Sequence, residues 1–135
     1  MTQQPNLLDT MGGLDALRPV INDFIDRVRA DVMIGFHFNA ADPDLLKQRE
    51  LEFTARALGA DIPYTGRGMR QAHANHPILS GQFYRRLMIL RQTLADHAVP
   101  QPVTEAILLH TERLHDLIVR VPDACSPPKR PTERP

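Results

Sequence analysis

Pro63-Tyr64-Thr65-Gly66-Arg67-Gly68-Met69-Arg70-Gln71-Ala72-His73-Ala74-Asn75-His76-Pro77-Ile78 is the stretch that decides how the chain is read. Gly66 and Gly68 make an irregular lead-in to one helical turn, Met69 to Ala74, which Pro77 closes because proline cannot continue a helix. Met69 lies four residues before His73, on the same face of that turn. A neutral imidazole beside a soft thioether suits an iron ligand, and it equally suits a hydrogen-bonded wall residue. On spacing alone both readings stand.

Upstream, Gly12-Gly13 breaks the chain and Leu14 opens an amphipathic helix, with Leu17, Val20, Ile21, Phe24, Ile25 and Val28 recurring at spacings of three and four. Pro19 must sit in its first turn or kink it, and Arg27, Arg29 and Asp31 fall on the wet side. Residues 32–40 read as a tight corner plugged by Phe36 and Phe38. Asp42-Pro43-Asp44 supplies a cap, a first-turn proline and an acidic group for the dipole of a helix that ends at Gly59. On that helix Leu46, Glu50, Phe53 and Ala57 share a stripe, with Arg49 at its edge. A carboxylate among apolar neighbours is costly unless paired.

Downstream, Ser80 is expected to cap a helix railed by Phe83, Leu87, Leu90 and Leu94. After the Val99–Pro102 turn, a last helix runs from Val103 to Val119, with Ile107, Leu108, Leu114, Leu117 and Ile118 inward. The reading gives an all-α chain: a lead-in at 1–11, one domain at 12–120, and a disordered tail at 121–135 carrying five prolines.

Composition narrows the function. The 135 residues suffice for one core, and 16 basic against 16 acidic groups leave no charge excess for nucleic acid or an anionic membrane. No apolar run spans a bilayer and no secretory signal opens the chain. Cys125 is the single cysteine, so a reducing, cytoplasmic setting is expected. His110 and His115 are five apart, the wrong spacing for two ligands on one helix face, and read as surface or edge groups. His73 and His76 are three apart, but no third ligand is near in sequence. There is no phosphate loop, no CxxC and no Ser–His–Asp signature, and Arg85-Arg86 reads as a solvated helix face.

Taken in order, Met11-Gly12-Gly13, Asp23-Phe24, Phe36-His37-Phe38, Ala57-Leu58-Gly59, the Tyr64-Thr65-Gly66-Arg67 and Met69-Arg70-Gln71-Ala72-His73 strings, Phe83 and Val99-Pro100 resemble a truncated haemoglobin of the first group across about residues 8–120. The resemblance implies a globin-like two-over-two helical sandwich around haem b, with the first helix nearly lost. It makes His73 the proximal iron ligand and Phe38 the ring stacked on the porphyrin. It puts Leu46 at the distal gate and Arg49 beside a propionate. Tyr64, Met69 and His76 join the cofactor-binding set, and Ile78, Phe83 and Leu87 close the pocket. A flat apolar macrocycle with two carboxylates needs such walls and a cationic rim.

Three distal positions depart from that family. Oxygen-binding members carry a tyrosine where this chain has Ile25, often a glutamine where it has Glu50, and a small apolar residue where it has Arg86. An ionised carboxylate donates no hydrogen bond. Either Glu50 and Arg86 pair over the haem, or Arg86 snorkels to the rim. His37 is a further candidate sixth ligand. The resemblance implies binding of a diatomic gas (oxygen, nitric oxide or carbon monoxide) by a monomer or weak dimer. Nitric oxide dioxygenase or peroxidase-like turnover would be served by a reductase. The alternative is a globin-fold interaction module whose haem is absent or purely structural, with the Pro-rich tail as its partner-binding segment.

Overall fold

The computed structural model describes residues 6–63 and 78–121, with the side chains of 120 and 121 left aside. The order is α1 (Leu7–Met11), α2 (Leu14–Ala30), a 3-10 turn (Gly35–Phe38), α3 (Pro43–Ala57), β1 (Ile78–Leu79), α4 (Ser80–Asp96), α5 (Gln101–Glu112), α6 (His115–Ile118) and β2 (Val119–Val121). The four long helices form a closed ring of neighbours: α2 packs on α3 and α4, and α5 packs on the same two from the other side. This is the two-over-two sandwich, α2 and α3 in one layer, α4 and α5 in the other.

The apolar stripe of α2 runs through the centre, burying Leu17, Val20, Ile21, Phe24, Ile25 and Val28 against Leu51, Ala55 and Leu58, Leu90 and Leu94, and Val103 and Ile107. α1 belongs to the same body. Asn6 accepts from the Asp9 amide at 2.8 Å, its amide group donates to the Gly59 carbonyl at 3.1 Å, and Leu8 is buried in the core. Gly12 and Gly13, at φ 109° and 80°, make the turn into α2 in a region that side chains avoid.

Several local expectations are corrected. Pro19 is the sixth residue of α2, past its first turn; Asp15 and Pro19 are both exposed, so the carbonyl left without a donor meets water. At the corner, Phe36 is 57% exposed, while Ile34, at 2%, fills the interior beside a half-buried Phe38. The buried ridge of α3 is Leu51, Thr54, Ala55 and Leu58; Leu46, Glu50, Phe53 and Ala57 are only half covered. Ser80 is the first residue of α4, not its cap, and the Gln82 side chain accepts from the Leu79 amide at 2.9 Å. The last helix starts at Gln101, with Pro102 in its first turn, and breaks after Glu112. Val119–Val121 then leaves the helix and pairs in parallel with Ile78–Leu79, so Val121 belongs to a strand and not to a tail. Residues 122–135 lie outside the described residues.

Asp31 is the largest reversal. Expected on the wet side, its carboxylate is 7% exposed and accepts from Arg85 at 2.7 Å and 3.0 Å through one oxygen. The other oxygen takes the Met33 and Ile34 amides at 3.0 Å and 3.2 Å, closing the corner. Arg85 first, then these amides, hold the Asp31 carboxyl below its ordinary range against the opposing effect of burial. A depressed carboxyl stabilises the fold above its unfolded pKa and loses that contribution as pH falls through the folded value. Asp31→Asn is therefore expected to melt below the parent protein at pH 7. The gap in melting temperature should close below about pH 4; a gap independent of pH would contradict the assignment.

Candidate functional site

Residues 85 and 86 stand about 100° apart around α4, so they cannot share a destination. Arg85 turns out to Asp31, and Arg86 turns between the layers, where its Nη2 donates to Glu50 Oε1 at 2.6 Å. The Thr54 hydroxyl donates to the other Glu50 oxygen at 3.1 Å. The Arg86 guanidinium carbon lies 4.9 Å from the centre of the fully buried Phe24 ring. Arg86 is not a solvated face residue; Arg85 stays 37% exposed while tied to Asp31. The Glu50 and Arg86 side chains keep 20% and 24% exposure, so the pair is screened but not sealed.

Around this pair the apolar residues divide. Leu90 and Leu94 belong to the common core, whereas Leu87 and Phe83, one and two turns before Leu90 on α4, are buried outside that cluster. Phe83 meets Tyr84 edge-on at 5.4 Å and His115 edge-on at 5.1 Å, and Phe53 on α3 lies 5.1 Å from His110 on α5. Leu46, Arg49 and Phe38 are half-buried, Ile78 is half-buried in β1, and Ile25 is packed in the core beside Phe24. Tyr64, Met69, His73 and His76 lie outside the described residues. His37 directs Nε2 to Gln82 Oε1 at 3.2 Å and stacks on Phe36 at 4.1 Å, an arrangement that occupies the nitrogen a sixth ligand would use.

His110 and His115, read as surface or edge groups, are half-buried at the edge of the core and face aromatic rings. The signal for His110 was present: it follows Ile107 by three and Val103 by seven, both core positions. Burial, and secondarily Arg113, push its imidazole below the ordinary value, while Glu50 pulls the other way. His115 Nε2 meets the Ser80 hydroxyl at 3.1 Å and its Nδ1 meets Asp116 at 3.0 Å, a Ser–His–Asp row with no sequence signature. Asp116 is 85% exposed, so water competes for the carboxylate; the row clasps α6 to the start of α4. Among the described residues no three His, Cys, Asp or Glu side chains cluster as a metal site, and no helix is long and apolar enough to cross a membrane.

The arrangement fits a flat apolar macrocycle. Buried Phe83 and Leu87 sit apart from the main core, and a half-covered Leu46–Phe53–Ala57 stripe on α3 leaves apolar surface for another body to cover. Residues 6–120 match the family model described as bacterial-like globin. The chain is 34% identical over 103 residues to the group 1 truncated hemoglobin GlbN of Mycolicibacterium paratuberculosis, covering 76% of each. A 2/2 hemoglobin from Synechococcus, solved in the cyanomet state with covalently attached heme, superposes with a TM-score of 0.75 at 25% identity, over 84% of this chain and 98% of that one. The fold also matches the ferric truncated hemoglobin of Tetrahymena pyriformis, with a TM-score of 0.78 at 22% identity, over 85% and 98% of the two chains. With its helical ring, its aromatic wall and these likenesses, the chain belongs to the bacterial-like globin family, among the truncated haemoglobins of the first group, and its cofactor is haem with its iron.

Proposed function

We propose that this globin binds a diatomic gas at haem iron held by His73 and engages that ligand through Arg86, as a redox or sensing protein and not as an oxygen store. When bound, the haem supplies an iron centre that takes the gas and exchanges electrons. The chain supplies the surroundings. Phe38, Phe83 and Leu87 wall the ring, Leu46 stands at the gate, and Arg49 is the rim cation for a propionate. Tyr64, Met69, His76 and Ile78 complete the wall on the His73 side.

The observation that carries the reading is the distal exchange. Ile25 offers no donor, Glu50 is an acceptor, and of the three exchanged residues Arg86 is the one able to donate, held by Glu50 at 2.6 Å. A single lost hydrogen bond to a partly charged ligand is worth roughly 1.5–3 kcal/mol, or about ten- to a hundredfold in release rate. A guanidinium fixed by a carboxylate favours a ligand that gains negative charge during reaction over one held unchanged. Turnover of nitric oxide or reduced oxygen would call on a reductase to restore ferrous iron.

Haem added to the purified protein is expected to develop a Soret band that saturates at one haem per chain. His73→Gly should lose the parent's Soret band position and regain it with exogenous imidazole, as expected when a side-chain ligand is replaced by a diffusible one. Equal spectra for parent and variant, without imidazole, would remove His73 as the ligand.

A further inference from the structure

We propose, resting on the haem reading above, that Glu50 and Arg86 form an acid–base pair for the cleavage of hydrogen peroxide, with a small phenol as the one-electron donor. A glutamine can only donate and accept hydrogen bonds. A carboxylate can take a proton and return it, and this one is aimed. Thr54 holds one Glu50 oxygen at 3.1 Å and Arg86 holds the other at 2.6 Å, so the group cannot swing away from the interior. The Phe24 ring covers one flat face of the Arg86 guanidinium, and Nη2 is taken by Glu50. Nε and Nη1 make no hydrogen bond among the described residues, so they can donate to an incoming ligand. Among the described residues, the charged and titratable groups near Glu50 are Arg86 on α4 and His110 on α5, with Arg113 acting on that imidazole from just past the helix end and Arg49 one residue before Glu50 on α3.

Glu50 takes the proton from the inner peroxide oxygen and passes it to the outer one. The O–O bond breaks, and the outer oxygen leaves as water carrying its own proton and the transferred one. Arg86 donates to that outer oxygen while it gains negative charge. The inner oxygen leaves as a second water with two electrons and two protons from two phenol molecules, each released as a phenoxyl radical. The sum is one peroxide and two phenols giving two waters and two radicals. Ile25 matters here as well, because a neutral donor in its place would favour simple retention of the gas.

The test uses the full chain loaded with haem. Parent protein, Glu50→Gln and Glu50→Asp are compared in the second-order rate of reaction with hydrogen peroxide and in oxidation of guaiacol. Glu50→Gln keeps the volume, can still accept from Arg86 through its one oxygen and can donate its amide N–H to the Thr54 hydroxyl, but it moves no proton. It is expected to slow the peroxide reaction about a hundredfold, with partial rescue in Glu50→Asp. Haem stoichiometry should stay at that of the parent, which separates loss of the proton shuttle from loss of the cofactor. The alkaline transition of the ferric spectrum should move down by about half a pH unit or more on loss of the nearby negative charge. A parent protein no faster than free haemin, or a Glu50→Gln variant as fast as the parent, overturns the pair's role while the gas-binding reading stands. Failure to take up haem at all overturns that underlying reading instead.

Discussion

Phe24→Ala is expected to lower unfolding stability by about 3–5 kcal/mol, roughly 10–15 °C in melting temperature for a chain of this size. Phe24 is among the largest fully buried side chains and sits where α2 meets the other layer. Alanine leaves a ring-sized void that neighbours on three helices can only partly fill. The same change removes the aromatic face under Arg86, a contact worth about 0.5–2 kcal/mol in a screened site. Phe24→Leu keeps most of the volume and loses the face, and should cost about 1–2 kcal/mol. Chemical denaturation of both variants checks the order. A loss below about 1 kcal/mol for alanine would mean that α2 is not the central element.

The second large effect is expected at Gly35, where alanine should cost about 3 kcal/mol. A Cβ built at this position would lie 2.5 Å from the Arg29 carbonyl oxygen and 3.2 Å from its carbon. The obstacle is backbone in the last turn of α2, not the end of a flexible side chain. Gly35 also donates its amide to Asp31 at 2.9 Å, so it cannot back away without opening the corner that Asp31 holds. Relief requires the 3-10 turn to move as a unit, carrying Phe38 from its place against the core. Denaturant titration of Gly35→Ala measures the cost. Stability equal to the parent's would show that the corner yields freely.

These two positions also show what the sequence made legible. Phe24 was evident, because long helices repeat their apolar residues and the repeat points to one side. The Asp42-Pro43-Asp44 start of α3 was evident for a local reason: Asp42 accepts from the Asp44 amide, two residues away. Gly35 and its corner were not evident. A four-residue 3-10 turn has no 3.6-residue period to read, so nothing local distinguished Ile34 from Phe36. The burial of Asp31 depends on Arg85, far along the chain. The two-strand ladder pairs segments too short to carry an alternation pattern. On α3 the Leu46–Glu50–Phe53–Ala57 stripe is legible as a stripe, but the core uses the Leu51–Ala55–Leu58 side and the Leu46–Phe53 side stays half covered. Likeness to a known family pointed to Glu50 and Arg86 as the proposed distal residues, but adjacent arginines are interchangeable to an alignment. Only the rotation of α4 decides which of them meets Glu50.

The two short clasps described for the fold act on the same span. Asn6 grips the Gly59 carbonyl where α3 gives way to the approach to His73, and Val119–Val121 grips Ile78–Leu79 where the chain leaves it. Both described ends of the span that contains His73 are thus moored to remote parts of the sequence, like abutments standing on foreign ground. With His73 as the proposed iron ligand, mutations or added tags near residue 6 or residue 121 are therefore expected to register in the optical signature of the cofactor.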